Sequence, residues 1–234
     1  MKCLILDCGG VLAYSRTGDW CTPLRLEEFL GPRIRDLQTP RGLQARREAS
    51  IWLDETRIVP DLEAERHLRF KYLRSLDRSM GWGLSVQALD TLADDFTYNA
   101  DRFAWFDGVD EWLARWKRDH ALGLLSDAMP STLDFLERRG ILSLFDAAVI
   151  STRVGAIKPD PRMYAAVVGA LDVRPRDCLF VDDRADNVRG AVAAGMRAVQ
   201  MAHPEFYPDA LWEGPVAGDF RALDRLIRGE EAGR

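Results

Sequence analysis

Met1-Lys2-Cys3-Leu4-Ile5-Leu6-Asp7-Cys8-Gly9-Gly10-Val11-Leu12 opens the chain. Cys3 to Leu6 is a short apolar run that stops at a carboxylate, and two glycines follow it. An apolar run of this length bounded by glycines predicts a buried strand. Strands covered on both faces belong to the parallel sheets of α/β proteins. Asp7 then sits at the carboxyl end of the strand, the edge where open α/β sheets bind ligands. Gly9 and Gly10 let the backbone turn and approach a ligand closely. Taken alone, Asp7 reads equally well as the cap of a turn, so the rest of the chain must decide between the two roles.

Working outward, residues 13–20 are polar, with a turn signal at Gly18-Asp19, and predict a loop or small flap. Residues 23–102 show helical rather than alternating periodicity. The clearest case is 62–76, where Leu62, Leu68, Tyr72, Leu73 and Leu76 fall near one face. A second apolar set includes Ile34, Leu37 and Leu43, and 85–99 carries Val86, Leu89, Leu92, Ala93 and Phe96. Further apolar runs at 121–125, 147–150, 178–181 and 197–201 alternate with helical patterns. Five short runs alternating with helices predict an α/β fold, a Rossmann-like parallel sheet core with a helical bundle inserted after the first strand. The expected division is 1–14 with 106–234 for the core and 15–105 for the inserted helical unit. A polar, Pro-containing stretch leads to a last helix near 220–227, and a charged tail after it is expected to fray.

Composition sets the outer bounds. The chain has 234 residues, 47% hydrophobic and 29% charged, enough for a sizeable core. The net charge of −5 points away from a nucleic-acid partner, since arginines are interspersed with acidic residues. No apolar run approaches the roughly 20 residues that span a bilayer, and the start lacks a signal-peptide pattern. Cys3, Cys8, Cys21 and Cys178 form no Cys-x-x-Cys pair. They read as free thiols in a reducing cytoplasm.

The runs end in chemistry. Asp7, Ser126-Asp127, the loop carrying Lys158, and Asp182-Asp183 each follow an apolar run. Right-handed crossovers bring all parallel strand ends to one edge, so these residues are expected to converge. Individually, Ser126-Asp127 reads as a helix cap, Lys158 as a surface residue, and Asp182-Asp183 as the acidic start of the Asn187 helix. Together, three carboxylates with a lysine and a hydroxyl describe a site for a phosphate and a hard cation. Mg²⁺ takes oxygen ligands, a carboxylate can attack phosphorus, and a lysine can neutralise the charge that develops.

Four stretches in order give this pattern a family. Asp7-Cys8-Gly9-Gly10-Val11-Leu12, Leu124-Leu125-Ser126, Lys158-Pro159-Asp160-Pro161 and Phe180-Val181-Asp182-Asp183-Arg184-Ala185-Asp186-Asn187 resemble the signatures of the haloacid dehalogenase superfamily. Its members are mostly Mg²⁺-dependent phosphatases with a mobile cap, and the resemblance makes the inserted unit 15–105 a helical cap. The resemblance implies that Asp7 is the nucleophile and that Asp7, the Gly9 carbonyl, Asp182 and Asp183 hold Mg²⁺. It implies that Ser126 binds a phosphoryl oxygen, that Lys158 bridges nucleophile and phosphate, and that Asn187 supports the acidic loop. One position departs from the pattern. The usual phosphatase has a second Asp two residues after the nucleophile, as acid and base, where this chain has Gly9.

That gap disfavours a phosphomutase and leaves a phosphatase for a small phosphomonoester such as a sugar phosphate. The alternatives are a binding or regulatory protein with little turnover and a metal-independent 2-haloacid dehalogenase. Against the dehalogenase stands the Asp182-Asp183 pair, and Asp127 stands where an Asn usually follows the serine. Substrate contacts are expected from Ser126, Asp127 and Lys158, and from Arg16 and Trp20 on the flap, with Tyr14 and Asp19 beside them. Trp20 reads equally as an anchor of the cap, and Trp52 and Trp82 read as cap core. His67, His120 and His203 are isolated, with no ligand spacing. The expected partner is a phosphorylated small molecule, and the expected assembly is a monomer or homodimer.

Overall fold

The computed structural model describes residues 2–229. Along the chain it forms β1 (Cys3–Leu6), β2 (Ala13–Ser15), α1 (Leu26–Leu30), α2 (Pro40–Ala49), α3 (Leu62–Met80), α4 (Val86–Tyr98) and β3 (Phe103–Trp105). It continues with α5 (Val109–Trp116), β4 (Ala121–Ser126), α6 (Pro130–Arg138), β5 (Ala147–Ile150), α7 (Ser151–Val154) and α8 (Pro161–Leu171). The last elements are β6 (Cys178–Asp182), α9 (Ala185–Ala193), β7 (Arg197–Met201), β8 (Val216–Ala217) and α10 (Phe220–Arg228).

Six strands pair in the order β5-β4-β1-β6-β7-β8, all parallel. This is the expected Rossmann-like α/β sheet. β1 lies inside it because it is apolar on both faces. Leu4 and Leu6 enter one hydrophobic cluster with Leu113 of α5 and Leu223 of α10. Cys3 and Ile5 enter the opposite cluster with Val167 of α8 and Val188 of α9. From β1 the chain builds outward to β4 and β5, then returns to lay β6, β7 and β8 on the other side. The strand order reverses at β1, which places a crevice at its carboxyl end.

Three features correct the sequence expectations. The sheet has six strands rather than five, because two-residue β8 lies inside the Pro-containing stretch, too short to show a period. Residues 13–20 are not all loop. Ala13–Ser15 pairs antiparallel with Phe103–Trp105, so the two segments flanking the helical block form a ribbon. Leu43 is 42% exposed and lies outside the block's core. The tail expected to fray lies outside the described residues.

Residues 26–96 of the helical block bury a core of their own, with Leu30, Leu73, Trp82, Leu92 and Phe96 in it. Its longest helix, α3, starts where the Asp61 side chain accepts from the Ala64 N–H, and it ends at Gly81 in the left-handed region. Three contacts tie the block to the sheet. Buried Glu65 on α3 accepts from the Ser131 N–H and hydroxyl, both at 2.7 Å, and pairs with Arg69. Val59 donates to the Thr152 carbonyl at 3.1 Å, and Val59 and Leu68 pack with Met129. Among the described residues no helix is long and apolar enough to cross a membrane.

Candidate active site

Asp7 leaves β1 with its N–H on the Val181 carbonyl at 2.9 Å, and its Oδ1 accepts from the Cys8 N–H at 2.7 Å. Lys158 arrives from the loop after α7 and is 1% exposed. Its Nζ lies 3.0 Å from Asp7 Oδ1 and donates to Asp182 Oδ2 at 2.7 Å and to the Leu125 carbonyl at 3.1 Å. An ammonium has three protons, and here three acceptors fix it. Its backbone N–H donates to Asp127 Oδ1 at 2.9 Å, so Asp127 shapes the loop that delivers the lysine.

Asp182 closes β6 with no exposure. Besides Lys158, it accepts from the Arg184 N–H at 2.9 Å and from Asn187 Nδ2 at 3.0 and 3.1 Å. Tyr164 on α8 donates to the Asn187 carbonyl at 2.7 Å. Asp183 next to it is held through its backbone. Gln200 Nε2 donates to the Asp183 and Asp209 carbonyls, both at 2.8 Å, while Gln200 Oε1 accepts from the Trp212 N–H. The sequence places Tyr164 on the apolar side of a helix over 162–171 and gives neither it nor Gln200 a role at the site. Gln200 had a signal, an amide inside the apolar run of β7; Tyr164 had none.

Gly10 has a φ of +72°, and a Cβ there would stand 2.4 Å from Asp183 Cγ. Only glycine both adopts this conformation readily and leaves room for that carboxylate. Gly9 has a different neighbour. A Cβ built on it would meet Trp20 Cζ2 at 3.3 Å. The indole therefore lies against the position where the family's second Asp is expected.

The charges interact strongly. Burial pushes the Asp7 carboxyl up to about 6, against the pull of Lys158. Burial and the neighbouring Asp182 and Asp7 push Asp183 up to about 8. Burial disfavours the Lys158 ammonium, yet Asp182 and Asp7 outweigh it and hold that group well above its ordinary value. One lysine among three carboxylates leaves the cluster short of positive charge. Asp7, Asp182 and Asp183 each bring a carboxylate oxygen within 4.8 Å of the others. An all-oxygen donor set with excess negative charge fits a hard divalent cation. Asp182 is already saturated by hydrogen bonds, which leaves Asp7 and Asp183 the freer donors.

The other expected residues divide. Ser126 is buried at the end of β4, close enough to Asp7 to favour its charged form. Trp20 is partly buried beside Gly9, 5.3 Å from the Phe103 ring, and its carbonyl accepts from Arg102. Arg16 is exposed, and the structure does not join its side chain to the cluster. Tyr14 stacks on Phe206 at 4.1 Å. Asp19 braces its own loop through the Cys21 N–H and the Thr22 hydroxyl, and pairs with Arg46. Trp82 is buried in the core of the helical block and Trp52 packs against it. His203 stacks on Phe106 at 3.6 Å and His67 is exposed. All four cysteines are free, and burial pushes the Cys8 thiol far up, which makes it a poor nucleophile.

Comparison with known proteins follows this geometry. A family model described as haloacid dehalogenase-like hydrolase matches residues 1–195. Phosphatase MT3486 of Mycobacterium tuberculosis is 42% identical over 84 residues, 35% of this chain and 39% of that protein. The chain spans well under two thirds of the first curated relatives it matches. The L-2-haloacid dehalogenase from Xanthobacter autotrophicus superposes with a TM-score of 0.66 at 21% identity, over 99% of this chain and 100% of its own. A HAD phosphatase from Thermococcus onnurineus gives 0.63 at 20% identity, over 99% of each. At such identities the two structures share the fold, and the chemistry must come from the residues at the strand ends.

Proposed function

The chain belongs to the haloacid dehalogenase-like hydrolases, and from that premise we propose that it hydrolyses a small-molecule phosphomonoester, with Asp7 as nucleophile and Mg²⁺ as cofactor. The single observation that carries this reading is the crowding of Asp7, Asp182 and Asp183 around one lysine. An arrangement with that much unneutralised carboxylate favours a cation and the phosphoryl group it accompanies. A dehalogenase working without metal has no use for it.

Asp7 and Asp183 would hold the cation directly, with the Gly9 carbonyl beside them. Asp182 instead keeps Lys158 and Asn187 in place. Bound there, Mg²⁺ would neutralise the phosphoryl oxygens and orient the phosphorus toward Asp7. Asp7 attacks with a carboxylate oxygen, the bond to the leaving oxygen breaks, and water then cleaves the aspartyl-phosphate. Lys158 keeps Asp7 oriented and offsets the charge that builds on the phosphoryl oxygens. The Ser126 hydroxyl is placed to donate to one of them. The helical block would act as the cap that closes over the substrate.

A panel of phosphomonoesters weighted toward sugar phosphates and nucleotides tests this, with Mg²⁺ and with chelator. Phosphate release that needs Mg²⁺ and vanishes in Asp7→Asn supports the reading. Release that survives in Asp7→Asn, or halide release from 2-chloropropionate without metal, overturns it.

A further inference from the structure

Position 9 has no side chain, and Trp20 lies against the space where one would begin. A proton donor for the leaving group must then come from elsewhere. The helical block carries a partly buried carboxylate, Glu55, on a turn that docks beside the loop leading to Lys158. Residues 54–57 form a tight turn, in which Arg57 N–H donates to the Asp54 carbonyl at 3.1 Å. The Asp54 side chain caps it, accepting from the Thr56 N–H at 2.9 Å and the Thr56 hydroxyl at 2.7 Å. Glu55 sits at the apex.

This turn is fastened to the sheet just beyond β5, on the edge that carries Asp7. Val59 donates to the Thr152 carbonyl. A Cβ on Gly155 would touch Ile58 Cδ1 at 3.2 Å and the Thr56 carbonyl at 3.6 Å. Gly155 is three residues before Lys158. Glu55 is partly buried and close enough to Asp127, Asp7 and Lys158 to feel their charges. Among the described residues it makes no hydrogen bond and no ion pair.

We infer that Glu55 is the proton donor and acceptor that position 9 lacks. The inference rests on the phosphatase reading above. As Asp7 forms its bond to phosphorus, the bond to the leaving oxygen breaks and that oxygen takes the Glu55 proton. Water then attacks the phosphorus and gives a proton to the Glu55 carboxylate. The phosphorus–Asp7 bond breaks, and both carboxyl groups return to their starting state. The surroundings suit both half-reactions. Burial and the negative charges of Asp127 and Asp7 raise the Glu55 carboxyl to about 7, while Arg69 and Lys158 oppose them. The partly buried Cys21 thiol also feels the Glu55 charge. A carboxyl poised there is protonated and ionised in comparable amounts near neutrality. The other candidate is the partly buried Tyr207 hydroxyl, which feels the charges of Asp183 and Asp7. Burial pushes that phenol up, which makes it the weaker acid.

The test compares kcat/KM on two aromatic esters, with Mg²⁺. The phenolate of p-nitrophenyl phosphate leaves without protonation, whereas the alkoxide of benzyl phosphate does not. Glu55→Gln is expected to lose about 100-fold or more on benzyl phosphate and less than about tenfold on p-nitrophenyl phosphate. The wild-type benzyl profile should fall on the alkaline side, and that limb should disappear in Glu55→Gln. Glu55→Asp, which keeps an acid on a shorter arm, should recover part of the benzyl activity and the limb. Far-UV circular dichroism checks that each variant folds, and Glu55→Asp carries the test if Glu55→Gln does not. Equal losses on both esters, an unchanged benzyl rate, or an ester-dependent loss in Tyr207→Phe instead would overturn the inference. Turnover that survives in Asp7→Asn, or a wild type inert on both esters, fails the phosphatase reading itself and this inference with it.

Discussion

Asp182 at the end of β6 and Glu55 on the helical block are both carboxylates near Asp7, and they are held in opposite ways. Asp182 is fully buried and accepts from Lys158, Arg184 and Asn187. Glu55 is only partly buried, and its carboxyl accepts no hydrogen bond among the described residues. A carboxylate saturated with charge-assisted hydrogen bonds is fixed in place. One that is desolvated, near like charges and unbonded can exchange a proton. The strand edge thus supplies an electrostatic frame braced by hydrogen bonds, and the helical block supplies a carboxyl with no such brace. The division follows from how each region folds. The frame is built by strand ends whose positions the whole sheet fixes, while Glu55 rides on one short turn.

The largest effect tests the frame's reacting member. Asp7→Asn should reduce phosphate release by at least about 10⁴-fold, because a lost nucleophile is not replaced by its neighbours. A residual rate within tenfold of wild type would remove Asp7 from the mechanism. Next comes stability. Asp182→Asn removes the shorter ion pair of buried Lys158, leaving it Asp7, and should cost about 1–3 kcal/mol in urea unfolding. Glu55→Gln should change stability by less than about 0.5 kcal/mol, as a side chain outside any bonded network does. Similar losses in the two variants would erase the distinction between the frame and the unbraced carboxyl. Gly10→Ala should cost about 1–2 kcal/mol from its left-handed backbone alone. The crowded Asp183 should add to that and weaken Mg²⁺ binding, which titration calorimetry would read.

A pH dependence follows with a definite sign. Asp7 and Asp183 are raised in the folded protein to about 6 and about 8. Between the unfolded carboxylate range near 4 and those values, the native state holds protons that the unfolded chain has released. Stability from these groups is therefore full below about pH 4 and drains away as pH rises toward 8. Melting temperatures in chelator should fall across that window, and added Mg²⁺ should restore more at its upper end than at its lower. A melting temperature that rises from about pH 5 to about pH 8 would contradict the crowding. The smallest effect concerns position 9. Gly9→Asp alone should not raise activity, because Trp20 stands in the way. Gly9→Asp with Trp20→Gly should raise it, measured on benzyl phosphate.

Much of the frame was legible in the sequence, because each piece follows an abrupt change from apolar run to polar residue. Asp7 after Leu6, Ser126 after Leu125 and Asp182 within Val181-Asp182-Asp183 carry that signal locally. The parallel topology then brings them together. What escaped the sequence lacks a local signal. β2 and β3 have three residues each and pair across the whole helical block. Strands that short show no period. Glu55 lies in Asp54-Glu55-Thr56, which reads as an ordinary polar turn, and only the docking of that turn near Thr152 and Gly155 gives it a place. Trp20 left two roles open. Its contact with Gly9 connects it to the site through the very residue whose missing side chain sets this chain apart from the usual family signature. Arg16, which the sequence puts on the same flap, stays exposed.

The most direct test of the account is an acid-quenched single turnover with a ³²P-labelled phosphomonoester the protein hydrolyses, followed by peptide mapping. Label should appear transiently on the peptide carrying Asp7, be released by hydroxylamine as an acyl phosphate is, and be absent in Asp7→Asn. Phosphate released with no labelled protein at any time, or label that persists in Asp7→Asn, would contradict it.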